Sequence, residues 1–162
     1  PETLDAWQLA SNDVVQDPIE QATHESDLYA EDHLEAIGPI ALIALPGTEA
    51  FANKVNAHLV QRRQEDLASN SHLEEQRGYF RKNYIIDCQI QRRGTGEGKA
   101  FIHQTVRGHD VFILIDVLNY SVSYPYYGMM KPVTPDEHYQ NLRSAISAVS
   151  GKAKRINVIM PY

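Results

Sequence analysis

The most distinctive spacing in the chain belongs to three glycines that surround a threonine and a glutamate, in the segment Gly94-Thr-Gly-Glu-Gly98. A glycine-rich segment can bind the phosphates of a dinucleotide where a strand leads into a helix. Here the spacing differs from that motif, and the residues that follow alternate like a strand. The segment therefore predicts a tight turn between two strands. Glu97 in this turn is either an exposed hairpin charge or a carboxylate that contacts a ligand.

The histidines and the single cysteine show no pattern for metal binding or nucleophilic catalysis. The seven histidines are scattered without the spacing of metal ligands. Cys88 alternates with Ile86 and Ile90, which predicts a small apolar residue on one face of a strand. A single cysteine excludes an intrachain disulfide and fits a reducing cytosol. No Ser, His and Asp spacing identifies a catalytic triad.

Other polar and aromatic candidates each have two interpretations. Asp116 and Asn119 end a buried strand, so they either face the ligand crevice of an α/β sheet or cap the chain locally. Arg107-Gly108 is either a turn that sets strand register, the favoured interpretation, or a phosphate site. The aromatic loop 119–128 either offers rings to a subunit contact or cleft, or folds them back onto its own core. Its tyrosines are Tyr120, Tyr124, Tyr126 and Tyr127.

Apolar runs and amphipathic segments alternate along the chain from residue 40 onward. A helix is predicted after Thr48 as its N-cap, and the polar residues 61–83 are expected to form a loop or a frayed helix. Thr134-Pro135-Asp-Glu137 is a strong helix start. This order predicts an α/β fold, with a mixed or mostly parallel sheet flanked by helices and a β-hairpin. The predicted strands are Ile40–Leu45, Tyr84–Ile90, Lys99–Val106, Val111–Ile115 and Arg155–Tyr162, and the apolar stripe of the first helix is Phe51, Val55, Leu59 and Val60.

Charge divides the chain into two parts. Residues 1–38 hold ten Asp or Glu and no Lys or Arg, which predicts an acidic leader, either packed or mobile. Residues 39–162 carry a weak positive net charge and enough apolar residues for one core. No nucleic-acid partner is expected, because phosphate contacts need clustered Lys and Arg. No membrane span is expected either, since the longest apolar run, Pro39–Pro46, is far shorter than about 20 residues.

The segment Arg92–Lys99, followed by His103-Gln-Thr-Val-Arg-Gly-His-Asp-Val-Phe-Ile113, resembles the amino-terminal domain of ribose-phosphate pyrophosphokinases, the phosphoribosyl pyrophosphate synthetases. Ile40–Leu59 is similar to the opening strand and helix of that domain. Asp136–Tyr162, with its Ile-Met-Pro-Tyr ending, is similar to the helix and strand before the catalytic loop of the family. The resemblance covers residues 40–162 and implies a phosphoribosyltransferase-like α/β fold that occurs twice in the full-length enzyme.

The resemblance also implies an activity. Such enzymes transfer the β,γ-diphosphoryl group of ATP to the anomeric hydroxyl of ribose 5-phosphate with Mg²⁺, and they work in the cytoplasm as homo-oligomers, dimers or larger. Their adenine pocket borrows a hairpin loop from a neighbouring subunit, and this loop corresponds here to Arg93–Glu97. Glu97 matches the acidic residue that accepts a hydrogen bond from the exocyclic amine of adenine, and Thr95 replaces an Asp or Asn.

One position departs from the family. Arg93 or Gly94 stands where the family has a phenylalanine that stacks on adenine. An arginine guanidinium can stack on a base, whereas a glycine cannot. The proposed ATP-binding residues of this loop are Arg93, Thr95 and Glu97.

The catalytic loop, the metal-binding histidine and the ribose-phosphate motif of the family all follow the matched region. None of them is in this chain, so these 162 residues are expected to be inactive alone. Two functions remain open: the amino-terminal half of an active synthetase, or a synthetase-like regulatory or assembly subunit that has lost catalysis. A third, weaker hypothesis is a free-standing nucleotide-binding module that binds ATP without a partner.

Overall fold

The computed structural model describes residues 37–76 and 78–161. The predictions for the acidic leader therefore lie outside the described residues, apart from its last two positions. In chain order the elements are β1 (Ile40–Ala44), α1 (Glu49–Ser69), a short 3-10 helix (Ser71–Glu75), β2 (Cys88–Arg92), β3 (Gly98–Ile102), β4 (Asp110–Leu114), β5 (Ser123–Tyr126), β6 (Met129–Pro132), α2 (Pro135–Val149) and β7 (Arg155–Ile159).

A parallel three-stranded sheet in the order β1-β4-β7 lies at the centre of the domain. The middle strand β4 is an almost continuous apolar run, as expected for a strand that is covered on both faces, and Val111, Ile113 and Leu114 are fully buried. Residues 84–86 add a short parallel bridge on the outer side of β1, where the Ile86 amide donates to the Leu42 carbonyl at 2.7 Å. The prediction of an α/β fold with a mostly parallel sheet is confirmed.

Helix α2 packs against the antiparallel hairpin β2–β3 and starts as the sequence predicts. The Thr134 hydroxyl accepts from the Glu137 amide at 3.3 Å, and the Glu137 carboxylate accepts from the Thr134 amide at 2.8 Å. This reciprocal pair satisfies two amides that a helix N-terminus would otherwise leave unpaired. The opposite end of the helix contributes Ala145 and Val149 to the core.

Helix α1 is longer than its apolar residues indicate. It continues through residues 61–69 of the stretch expected to be a loop or frayed helix, because straight-chain residues favour the helix and the Gln61 amide donates to Glu65 one turn later at 2.9 Å. Ala52 is its buried residue, whereas Phe51 of the predicted apolar stripe is exposed. Thr48 is the N-cap residue of α1 as predicted, but its hydroxyl makes no capping hydrogen bond and donates to the carbonyls of Leu45 and Leu114 instead.

Three further boundaries differ from the sequence prediction. The predicted strand Tyr84–Ile90 is divided into the bridge at Ile85 and strand β2, because the chain leaves the central sheet to form the hairpin. Residues 119–128, expected to be a loop, contain β5 and the turn into β6, so the aromatic segment is an antiparallel hairpin. The strand expected at Lys99–Val106 ends at Ile102, where its pairing with β2 ends.

The central strand provides a test of this core. Ile113→Ala is expected to lower the free energy of unfolding by about 2–5 kcal/mol, because it leaves a cavity in a fully buried layer. The matched control is Val158→Ala at the paired position of the edge strand β7, where the side chain is 38% exposed. The control is expected to cost less than about 1 kcal/mol in urea denaturation. Equal losses for the two variants would contradict the assignment of β4 as the centre of the core.

Candidate functional site

The loop Arg93–Glu97 is a tight turn at the tip of the β2–β3 hairpin. The Arg93 amide donates to the Glu97 carbonyl at 2.9 Å, and the Gly96 amide donates to the Arg93 carbonyl at 2.8 Å. Gly96 has a φ of +89°, a conformation that a side chain would disfavour. The predicted turn between two strands is confirmed.

The side chains expected to bind ATP lie together at this exposed tip. Arg93, Thr95 and Glu97 are all exposed, and their side chains make no hydrogen bond or ion pair with any described residue. Hydroxyl, guanidinium and carboxylate groups are therefore available to a ligand on one short turn. A groove of about 440 Å³ runs from Glu97 along α2, with Lys99 and Arg143 as its cationic lining.

The side chain of Arg92 fixes the position of this turn. Its side chain is only 9% exposed, and its guanidinium donates to the Gly96 carbonyl at 2.9 Å and to the Asn141 side-chain oxygen at 2.9 Å. The same group lies 4.5 Å from the centre of the Tyr124 ring, a cation–π distance. One planar guanidinium thus fixes the position of the loop relative to α2 and to the β5–β6 hairpin.

Glu137 joins the same three elements through its carboxylate. It accepts from the Tyr124 hydroxyl and from the Lys131 ammonium at 3.0 Å, in addition to its role in the α2 capping box, and it lies 3.8 Å from the Arg92 guanidinium. Burial alone would raise the pKa of Glu137, but the hydrogen bonds from Tyr124, Thr134 and Lys131 lower the pKa to about 2. The carboxylate is therefore ionised at neutral pH and anchors the aromatic hairpin.

The tyrosines of residues 119–128 divide between the two interpretations of the sequence. Tyr124 is buried and folds back onto the domain, whereas Tyr120 and Tyr127 are exposed. Between them the Tyr126 ring stands edge-on to Tyr127 at 4.7 Å between ring centres. Tyr126 also reaches the loop, since a Cβ added at Gly96 would lie 3.5 Å from an edge carbon of its ring. The aromatic hairpin therefore packs beside the candidate ATP loop.

The two polar residues after the central strand hydrogen-bond to backbone groups of the loops around them. The Asp116 carboxylate accepts from the Leu118 amide at 3.1 Å, and the Asn119 side-chain amide donates to the Gly47 carbonyl at 3.1 Å. Gly47 has no room for a side chain, because an added Cβ would lie 2.6 Å from the Asn119 nitrogen. The geometry supports the capping interpretation: Asn119 ties together the loops that follow β1 and β4.

The structure assigns no metal or nucleophile chemistry to the described residues. Within residues 37–76 and 78–161, no three His, Cys, Asp or Glu side chains are grouped so that they could hold a metal ion. Cys88 packs against the core from β2. Burial, with a smaller effect of the neighbouring Asp87, raises the pKa of its thiol to about 11, so it is a poor nucleophile at neutral pH. In the same part of the chain, no helix is long and apolar enough to cross a membrane.

The sequence interpretation missed the residues that support the loop. Arg92 enters the sequence interpretation only as the first residue of the family-like segment Arg92–Lys99, although strand alternation places it on the same, more buried face as Cys88 and Ile90. That alternation was a usable signal. Asn141 gave none, because a polar residue on a helix shows no preference for a partner almost fifty positions away in sequence, the separation of Arg92 and Asn141. Glu137 was recognisable as part of a helix start, but its contacts with Tyr124 and Lys131 were not.

Comparison with protein-family models matches residues 40–162 to the N-terminal domain of ribose phosphate pyrophosphokinase. The chain belongs to this family. The match begins at the first residue of β1 and leaves the acidic leader outside, as the resemblance of the motifs indicated. Comparison with curated proteins gave no significant match. Membership in the family indicates a kinase-type transferase domain of nucleotide biosynthesis.

The support of the loop by Arg92 can be tested with an adjacent arginine as control. Arg92→Met removes the guanidinium but keeps an apolar stem, and it leaves the buried Asn141 oxygen without its donor. We expect a loss of about 1.5–3 kcal/mol in unfolding free energy and faster amide hydrogen exchange across residues 93–98. Arg93→Met, at the exposed neighbouring position, is expected to change stability by less than about 0.5 kcal/mol. If amide hydrogen exchange across residues 93–98 is unchanged in Arg92→Met, Arg92 does not hold the loop in place.

The lowered pKa of Glu137 predicts how the unfolding free energy of the domain changes at acid pH. Its pKa in the folded protein is about 2, below the ordinary value of 4.5, so its contribution to stability is complete above pH 4.5 and disappears as the pH falls toward 2. The unfolding free energy of the wild type should therefore decrease more steeply than that of Glu137→Gln over this interval. Glu74→Gln, at an exposed position of the 3-10 helix, should follow the wild type. Parallel curves for wild type and Glu137→Gln would contradict the network.

Proposed function

We propose that this chain is the amino-terminal part of a ribose-phosphate diphosphokinase. The enzyme would transfer the β,γ-diphosphoryl group of ATP to the anomeric hydroxyl of ribose 5-phosphate, forming phosphoribosyl pyrophosphate and AMP. The transfer forms a bond between the anomeric oxygen and the β-phosphorus, and it breaks the bond from that phosphorus to the oxygen of the α-phosphate. In this proposal the residues of this chain bind and orient ATP. The catalytic residues would be supplied by a part of the enzyme that is not among these 162 residues.

The observation that carries the proposal is the exposed turn at Arg93–Glu97 in a chain of this family. Its carboxylate and hydroxyl groups have no partner among the described residues, while the backbone beneath them is fixed by Arg92. A binding loop benefits from a fixed backbone and from polar side chains that have no partner of their own. Such a loop loses little conformational entropy when the ligand binds. Glu97 would accept from the exocyclic amine of adenine, and Thr95 and Arg93 would complete the contact.

Mg²⁺ and further copies of the chain belong to the same proposal. Residues 37–76 and 78–161 contain no group of three His, Cys, Asp or Glu side chains that could hold a metal ion, so the proposal assigns none of these residues to Mg²⁺. A loop that projects from the tip of a hairpin is suited to reach a neighbouring subunit, which supports a homo-oligomer of two or more subunits. We further propose a cytoplasmic enzyme with ATP and ribose 5-phosphate as small-molecule substrates, acting without nucleic acid or membrane.

The test is AMP formation from ATP and ribose 5-phosphate with Mg²⁺, measured on the full-length gene product. Glu97→Ala is expected to lower kcat/KM for ATP roughly 10- to 100-fold, the value of one hydrogen bond to a charged group. Because Glu97 is exposed and unpaired, the unfolding temperature should not change. Glu74→Ala, another exposed glutamate, is the matched control and should retain full activity. Wild-type protein that is folded and assembled but forms no AMP would refute the proposal.

A specific observation favours one alternative. The turn carries Arg93 and Gly94 where the family has an aromatic residue that stacks on adenine, so this chain is also a candidate for a synthetase-like regulatory or assembly subunit without catalysis. That function predicts no AMP formation by the homo-oligomer. It also predicts a changed rate when the chain is added to an active synthetase.

A further inference from the structure

The candidate ATP loop supplies hydrogen-bonding groups but no aromatic ring. Residues 92–99 contain two arginines, a threonine, a glutamate, a lysine and three glycines. A purine base has two broad apolar faces, and proteins bind such faces chiefly by stacking them on aromatic side chains. Residues that accept from the edge of the base therefore leave its faces uncovered unless another element supplies a ring.

The neighbouring β5–β6 hairpin supplies rings at the right place. The Tyr126 ring lies beside Gly96, where an added Cβ would be 3.5 Å from an edge carbon of the ring, and it stands at 83° to the ring of Tyr127, with 4.7 Å between the ring centres. Tyr124 supports Tyr126 from the other side in a second edge-on contact at 6.2 Å. Tyr124 also contacts Glu137 and Arg92, and these contacts fix the three rings relative to the loop. Tyr127 is the outermost ring, and it is 74% exposed.

The backbone at Tyr127 is unusual in a way that folding alone does not explain. Tyr126 pairs with Met129, so Tyr127 and Gly128 form the two-residue turn of the hairpin, with φ values of +47° and +81°. Two left-handed residues favour Asn-Gly or Asp-Gly, and a tyrosine at the first position is disfavoured. The side chain gains little from burial in return. A strained backbone that presents an exposed ring is a feature found at ligand sites.

We propose that Tyr127 is the ring on which the purine base of ATP stacks, and that Tyr126 positions it against the loop Arg93–Glu97. This inference rests on the proposed function, because the loop is taken as the ATP contact. The ring would cover one face of the base while Glu97 and Thr95 bind its edge. Met129 and Met130 are also exposed on this hairpin, so a contact between subunits is the alternative that the test must separate.

The test compares the affinities of two ligands for the full-length protein: ATP, and inorganic tripolyphosphate as a probe without a base. Tyr127→Asn is expected to weaken ATP binding roughly tenfold or more, since one base–aromatic stack accounts for about 5- to 150-fold in affinity. Binding of tripolyphosphate should not change. The unfolding temperature should stay the same or rise, because asparagine suits a left-handed turn position. Tyr127→Phe should bind ATP like the wild type, as should Tyr139→Ala, which removes an exposed tyrosine from α2.

Each other outcome contradicts the inference in a distinct way. Wild-type affinity for ATP in Tyr127→Asn, together with weakened binding in Glu97→Ala, would refute the stacking role and leave the proposed function intact. Equal losses for ATP and tripolyphosphate would show that the base is not what the ring contacts. A smaller assembly in light scattering with unchanged ATP affinity would assign Tyr127 to a subunit contact. Absence of ATP binding by the wild type would refute the proposed function and the inference together.

Discussion

The ionised carboxylate of Glu137 connects the parts of the domain that carry its candidate function. It closes the first turn of α2, accepts from Tyr124 and Lys131 on the β5–β6 hairpin, and lies beside the guanidinium of Arg92. A partly buried charge is stabilising only when its oxygens are fully hydrogen-bonded, and here donors from two elements satisfy them. Loss of this group would leave a helix start, an aromatic hairpin and a binding loop with fewer constraints on their relative positions.

Arg92 extends this connection to the hairpin loop. Its fork of donors binds Gly96 and Asn141, while its flat face lies on Tyr124. Close approach also depends on Gly98, where an added Cβ would lie 3.0 Å from the Asn141 oxygen. The glycines of this segment therefore serve a packing need as well as a turn. The resulting arrangement is a rigid base below a set of exposed polar side chains, which is how proteins commonly place binding groups on loops.

The β5–β6 hairpin is the most distinctive element beside this loop. Its inner tyrosine, Tyr124, is buried, its outer tyrosine, Tyr127, is exposed on a left-handed turn, and the ring of Tyr126 lies beside Gly96 of the loop. Aromatic rings have large contact surfaces and few rotatable bonds. The buried ring of Tyr124 can therefore restrict the position of Tyr126, and Tyr126 that of the exposed Tyr127. The loop 93–97 contains no aromatic residue, and the ring beside it would supply one in the proposed binding site built from two hairpins.

Local signals in the sequence predicted much of the fold. The apolar runs of β1 and β4, the glycine turn of the β2–β3 hairpin and the Thr134 start of α2 all depend on neighbours within a few residues, so they can be recognised without a structure. The motifs between residues 92 and 113, together with the Ile-Met-Pro-Tyr ending, identify the family that the comparison shows. The extent of α1 was less predictable, because a polar helix and a polar loop have similar compositions.

The support of the candidate site was decided only by tertiary structure. Arg92 and Asn141 meet because α2 lies against the hairpin, and nothing near either residue in sequence specifies that contact. Likewise, Asn119 ties to Gly47 only because β1 and β4 are adjacent and parallel, so that their following loops emerge at the same edge. The sequence by itself determined the family, the glycine turn and most of the elements, although not the β5–β6 hairpin or the full length of α1. Which side chains hold that loop, and which ring stands beside it, depended on packing between segments far apart in the chain.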